Sequence, residues 1–183
     1  MSKTNNIYQN KDPKAKFQID RECRWFYEGT EIKRHAMVCL FSRYLKRDDN
    51  GAYNIVTPYE CVAVGVENAP FKVINIQMKG KGVKCDFYIE TNVNEVIKIE
   101  REDQLSYLVD EENQGIIPYI NIRENIAAIF SRSCMLDLIN YCDYHPVNEG
   151  KTFGFWSNGI LFPVDIIKDW LSHNKSQWNT HKN

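Results

Sequence analysis

The stretch Ile116-Ile117-Pro118-Tyr119-Ile120-Asn121-Ile122-Arg123, then Glu124-Asn125, then Ile126-Ala127-Ala128-Ile129-Phe130, decides the fold class. Two β-branched, apolar runs around a short polar break form the pattern of a β-hairpin. Ser131 or Ser133 follows and caps a helix that runs to about Tyr141 through Met135, Leu138 and Ile139, because a hydroxyl there accepts from the free N–H groups of the first turn. The same order, hairpin then helix, occurs near the front of the chain. Short aromatic runs at 17–19 and 25–27 surround the polar turn Asp20-Arg21-Glu22-Cys23, and Met37, Leu40, Phe41, Tyr44 and Leu45 recur at helical spacing over residues 34–47. Their spacing predicts one buried stripe with Arg43, Lys46 and Arg47 outside it. The recurrence of 17–45 in 116–141 hints at a duplicated unit.

Between these blocks the chain reads as strands. Asn50-Gly51 favours a type I′ turn ahead of a strand at 53–57 that stops at Pro58, and a second run spans 61–66. Residues 71–78 and 83–91 read as a long hairpin around Lys79-Gly80-Lys81-Gly82, with 96–99 as a further strand. Residues 100–114 read as a polar surface connection with one short strand, and 155–162 as a closing strand pair. The fold class is therefore α+β: two small packed halves of mostly antiparallel strands, each with at least one amphipathic helix. Residues 1–16 have the composition of a disordered leader that the fold does not need, and 164–183 of a helical tail with Ile167, Trp170 and Leu171 on one face that frays at its end.

Composition excludes several classes. The 183 residues carry a net charge of −1, which supplies no field for general nucleic-acid binding. No run approaches the roughly 18 apolar residues of a membrane helix and the first 16 residues lack a secretory apolar core, so the expectation is a cytoplasmic protein with no membrane insertion. The six cysteines form no C-x-x-C pair, which predicts reduced, buried thiols and no metal site.

Most candidate motifs reduce to structure. In Gly154-Phe155-Trp156-Ser157-Asn158-Gly159 the first glycine stands three places before the serine instead of two, so a hairpin turn is favoured over a nucleophile elbow. The loop at 79–82 lacks the G-x-x-x-x-G-K-[ST] pattern, and a calcium loop from Asp49 fails at its third, fifth and sixth positions. The four histidines have no metal spacing, and the paired acids sit beside turn signals where exposure leaves their acidity ordinary. No catalytic residue and no cofactor follows. One constellation stands out: alternation along the strand sets Tyr119, Asn121 and Arg123 on one face, where a ring, an amide and a guanidinium suit a planar ligand with a phosphate. Arg43 lies roughly 130° from the centre of its helix stripe, so its head is not core.

The blocks Trp25-Phe26-Tyr27-Glu28-Gly29-Thr30-Glu31-Ile32, Leu40-Phe41-Ser42-Arg43, Arg47-Asp48-Asp49-Asn50-Gly51, Val56-Thr57-Pro58-Tyr59-Glu60, Glu67-Asn68-Ala69-Pro70-Phe71, Thr91-Asn92, 117–123 and Trp156-Ser157-Asn158-Gly159 together resemble the bacterial domain-of-unknown-function family 1285. The likeness spans about 17–163 and departs at Glu22-Cys23, where that family usually places Asp-Gly. It implies duplicated structural motifs, halves at 17–70 and 71–163, a C-terminal half superficially like a pleckstrin-homology domain, and a cleft between the halves that takes a nucleotide-like ligand. It also implies a role in bacterial signal transduction, including under oxidative stress. The ligand-binding set expected in the cleft is Arg43, Asp48, Thr57, Glu60, Asn92, Tyr119, Asn121, Arg123 and Trp156. The expected function is a non-enzymatic, ligand-binding regulator. Its rivals are a protein-interaction module docking a protein partner through the tail, and a small nucleotide hydrolase using carboxylates near Arg43.

Overall fold

The computed structural model describes residues 8–110, 115–147 and 150–164. Alternating apolar residues build the front half from β1 (Phe17–Ile19), β2 (Trp25–Tyr27), β3 (Thr30–Glu31), helix α1 (His35–Tyr44), β4 (Leu45–Arg47), β5 (Tyr53–Val56) and β6 (Cys61–Val66). The strands form one sheet in the order β3-β2-β1-β6-β5-β4. Two antiparallel meanders thus lie side by side, joined where β1 runs parallel to β6 with Phe17 opposite Val64. The back half repeats that plan with β7 (Phe71–Lys79), β8 (Asp86–Thr91), β9 (Val96–Ile99), β10 (Leu105–Asp110), β11 (Gly115–Arg123) and β12 (Ile126–Phe130). Its order is β10-β11-β12-β7-β8-β9, and again the first strand runs parallel to the last, with Phe71 opposite Ala128.

The duplicated unit is therefore a whole six-stranded sheet and not a hairpin followed by a helix. The helices fall at different places in the two copies: α1 separates the two meanders of the first, whereas α2 (Arg132–Asn140) follows the last strand of the second. Ser131 caps α2, its Oγ accepting from the Cys134 N–H at 3.3 Å. Three further strands, β13 (Asp143–Val147), β14 (Gly150–Ser157) and β15 (Ile160–Pro163), make a small antiparallel sheet. It packs on the second large sheet through Phe155, whose ring lies 4.7 Å from Phe87 and 5.3 Å from Phe162.

One apolar core runs through both halves. In the front sheet the registers put Phe17, Ile19, Trp25, Tyr27, Ile55, Val62, Val64 and Val66 on one inner face. Trp25, at the far end of that face, stacks on Phe71 at 6.4 Å with the ring planes 22° apart. Both side chains are fully buried, so each half completes the core of the other.

Four expectations change. The buried face of α1 is Val38 and Ser42, roughly 110° around the helix from the predicted stripe; Met37, Leu40 and Tyr44 are 40%, 48% and 41% exposed. Small side chains at i and i+4 let the helix lie close on β5, and Ser42 satisfies its own hydroxyl by donating to the Cys39 carbonyl at 2.9 Å. At 48–52 only Gly51 takes a positive φ, so Asn50-Gly51 is not a type I′ pair. Asp48 Oδ1 instead accepts from the Asn50 and Ala52 N–H groups at 3.0 and 2.8 Å and shapes a longer loop. Cys61 is exposed, since it opens β6 on the outer face.

The fourth change concerns residues 8–16, which composition assigns to the leader. Asn10 bridges Val66 through bonds of 2.9 and 2.7 Å, and Gln18 holds the Asp12 and Ala15 carbonyls at 2.7 and 2.9 Å. Tyr8 is 4% exposed. Its ring lies 4.9 Å from Tyr119, its hydroxyl is 3.0 Å from Ser106 Oγ, and its carbonyl accepts from the Tyr53 hydroxyl at 3.1 Å. A single aromatic residue outweighs the polar composition around it, because it joins both sheets. The polar tail beyond Val164, including Ile167, Trp170 and Leu171, lies outside the described residues. We expect Tyr8→Ala to lower stability by about 3 kcal/mol, the low end of the cost of deleting a buried aromatic. Deletion of residues 1–15 is expected to lower Tm as well; urea and thermal unfolding measure both.

Candidate functional site

A helix is about 10 Å across, whereas six strands about 4.8 Å apart span roughly 24 Å. Lying on β5, α1 therefore leaves part of the β1–β3 side of the inner face, around Tyr27, uncovered among the described residues. The uncovered ground is a groove of about 520 Å³ floored by Phe17, Tyr27 and Val62 and walled by Ile32, Met37 and Phe41. Phe17 forms its corner, 4.9 Å from Tyr27 at 56° and 5.1 Å from Phe41 at 65°. The rim is polar: Lys16, Thr30, Glu31 and Glu60. Lys16 Nζ lies 3.5 Å from the Glu28 carboxylate. The Glu31 and Glu60 carboxylates have no ion-pair or hydrogen-bond partner among the described residues.

The seam between the two sheets is built differently, from polar groups that satisfy one another. Arg123 Nη2 donates to the Ser42 carbonyl at 2.9 Å and stands 3.3 Å from the Glu95 carboxylate, with its guanidinium 5.4 Å from the centre of the Phe71 ring. Asn92 accepts from the Lys72 N–H at 2.9 Å, donates to the Cys23 carbonyl at 3.3 Å, and offers its own carbonyl to His35 Nε2 at 2.9 Å. Arg47 reaches across from β4 to the Asn125 carbonyl at 3.4 Å.

This paired-sheet arrangement has counterparts. Residues 10–69 match the N-terminal domain, and residues 70–164 the C-terminal domain, of a protein of unknown function, DUF1285. The chain belongs to the DUF1285 family. It is similar to the crystal structure of a DUF1285 family protein from Silicibacter pomeroyi DSS-3, with 30% identity, a TM-score of 0.73, and 90% of this chain and 89% of that one covered. It shares its fold with a DUF1285 family protein from Shewanella baltica OS155, at 22% identity and a TM-score of 0.58 over 70% of this chain and 94% of that one. No curated protein matches it.

The residues expected in a DUF1285 cleft scatter over this structure. Arg43 is exposed, with no bonded partner among the described residues. Asp48 shapes the β4–β5 loop, and Thr57 Oγ1 accepts from the Tyr59 and Glu60 N–H groups at 3.3 and 3.1 Å in the β5–β6 turn. Glu60 stands on the rim of the groove. Asn92 and Arg123 hold the seam. Trp156 is half-buried in the small sheet, donating to His145 Nδ1 at 3.1 Å.

The Tyr119-Asn121-Arg123 face does not form. A register shift between Asn121 and Arg123 sets Arg123 opposite Ile126, on the side of Ala128 and Phe71. Tyr119 and Asn121 stay on the other side with Tyr8. Tyr119 is fully buried and donates to Asn68 Oδ1 at 2.6 Å, while Asn121 donates to the Asp103 carbonyl at 3.2 Å. Ser157, the hydroxyl of the elbow-like hexapeptide, accepts from the Phe87 N–H at 2.9 Å and donates to the Ile99 carbonyl, which makes it a structural bond.

Reading the sequence missed Phe17, Tyr27, Glu31, Ile32, Met37, Phe41 and Val62. Their signal was present in α1, which is apolar over most of its circumference, more than one buried stripe requires. Burial pushes the Cys23 thiol up to about 12, against a smaller opposing pull from Lys72, and burial alone takes Cys142 to about 12. We expect an aromatic disulfide reagent to modify Cys61 in the folded protein and to reach Cys23 and Cys142 only in denaturant, as read by mass spectrometry of the labelled peptides. Arg123→Met is expected to cost about 2 kcal/mol in urea unfolding, because it removes a charged hydrogen bond and leaves Glu95 without its partner. An unchanged midpoint would show that the seam does not depend on it.

Proposed function

We propose that this DUF1285 chain is a non-enzymatic regulatory protein of bacterial signal transduction that binds a small ligand in the groove between α1 and the β1–β3 face. The observation that carries this reading is the groove itself. Its volume is about 520 Å³, within the range of small-molecule sites, and its apolar floor with a few polar rim groups is the make-up such sites share. Three rings set at an angle suit a planar body such as a nucleobase. A phosphate would find Lys16 already neutralised by Glu28 and two further carboxylates nearby. The seam supports a ligand less well, since Arg123, Asn92 and Arg47 are occupied with protein partners there.

A second reading, a protein-interaction module, is favoured by Met37, Leu40 and Tyr44. They form an exposed apolar strip along α1 beside the groove.

Thermal shift with a panel of nucleotides, dinucleotides, free nucleobases and uncharged aromatic compounds tests the first reading. A ligand at 100 times its Kd is expected to stabilise the wild type by about 2.7 kcal/mol. Val62→Trp, which fills the floor of the groove, is expected to abolish that gain. Silence over the whole panel, or a gain that survives Val62→Trp, overturns the groove as the ligand site.

A further inference from the structure

We infer that the groove is a receptor for a small organic ammonium cation, one whose positive nitrogen is carried on an apolar or aromatic body. The inference rests on the groove being the ligand site and adds the charge of what binds there.

Three observations converge. The first is the ring geometry: Tyr27 and Phe41 flank Phe17 at 4.9 and 5.1 Å, tilted by 56° and 65°, so the groove presents a corner of ring surfaces in place of a flat stack. Ring faces carry partial negative charge and attract a cation that has shed its water. The second is the balance of charge. Of the charged lining groups, Lys16 stands 3.5 Å from Glu28; Glu31, opposite Phe26, feels the charge of Arg24 without an ion pair; and Glu60 has no ion-pair or hydrogen-bond partner for its carboxylate among the described residues. Lys33 and Arg34, next along the chain, do not line the groove. The third is exposure. Glu31 and Glu60 are exposed at the open rim, while Phe17 beneath them is buried. A ligand entering past them meets carboxylates first and rings second.

That order suits an alkylated ammonium, whose charge is spread over methyl or methylene groups and is weakly hydrated. It does not suit a metal ion, which needs several converging oxygens, or a phosphate, which the rim repels. The floor rings give such a cation a surface, and the rim carboxylates give it a counter-charge without a buried ion pair.

The test uses two isosteres, phenyltrimethylammonium and tert-butylbenzene, which differ only in nitrogen with its charge against carbon. Binding is followed on the full chain by the amide shifts of residues 27–41 in nuclear magnetic resonance titrations. The cation is expected to bind at least tenfold more tightly than the hydrocarbon and to lose that advantage in 0.5 M NaCl. The double variant Glu31→Gln and Glu60→Gln, at exposed positions, is expected to keep its melting temperature, to lose about tenfold in affinity for the cation, and to bind the hydrocarbon as before. Tyr27→Leu is expected to weaken the cation more than the hydrocarbon. Equal binding of the two probes, indifference to the two Gln substitutions, or displacement of the cation by phenyl phosphate overturns the inference and leaves the groove as a binding site. If neither probe perturbs residues 27–41, the inference falls; the panel experiment with Val62→Trp then decides separately whether the groove binds anything.

Discussion

Phe71 is where the two sheets become one protein. It is the first residue of β7 and fully buried. One side of its environment is the Trp25 ring from the front half and another is the Arg123 guanidinium from the end of β11. Its backbone pairs with Ala128 in the parallel step that closes the back sheet. Packing and hydrogen bonding meet at this point, so the seam is anchored here. The contact has a polar cost. Trp25 Nε1 and Arg123 Nε are buried beside Phe71 without hydrogen-bond partners among the described residues, a penalty the surrounding apolar packing offsets.

The two sheets share a strand order but not a covering, and that asymmetry produces the groove. In the back half α2 lies on β7, and the small sheet adds Phe155, which packs against Phe87 and is backed by Phe162. In the front half, among the described residues, the inner face is covered by the ten residues of α1, by the Trp25 end of the seam and by the chain at Tyr8 beside Tyr53. Duplication supplied two equal surfaces, and unequal decoration closed one while leaving part of the other open.

Much of this was legible in the residues. The hairpin at 116–130, the Ser131 cap and the turn at Asn158-Gly159, where both residues take positive φ, follow from local chemistry alone. What escaped was set by distant partners. The face that α1 buries depends on β5, from beyond the helix, so a wheel drawn on Met37, Leu40 and Tyr44 picks the wrong side. The strand face of Arg123 depends on one extra residue of register, and a shift of one reverses every side chain after it. Tyr8 could not be recognised from its polar neighbours, because its partners Tyr119 and Tyr53 come from both halves. The groove was illegible for the same reason: it lies where segments distant in sequence meet, between α1 and the ends of β1, β2 and β6, and no local motif encodes it.

The parallel closure of each sheet also sets how much of the chain must be present before that sheet can close. Phe17 pairs with Val64 and Phe71 with Ala128, so in each half the first strand waits for the last before the sheet can close. Such non-local pairing is slow and leaves strand edges open while it is incomplete. When the front sheet does close, Trp25 still has no Phe71 to stack on. Until the back half is in place, the front sheet therefore lacks the ring that covers Trp25.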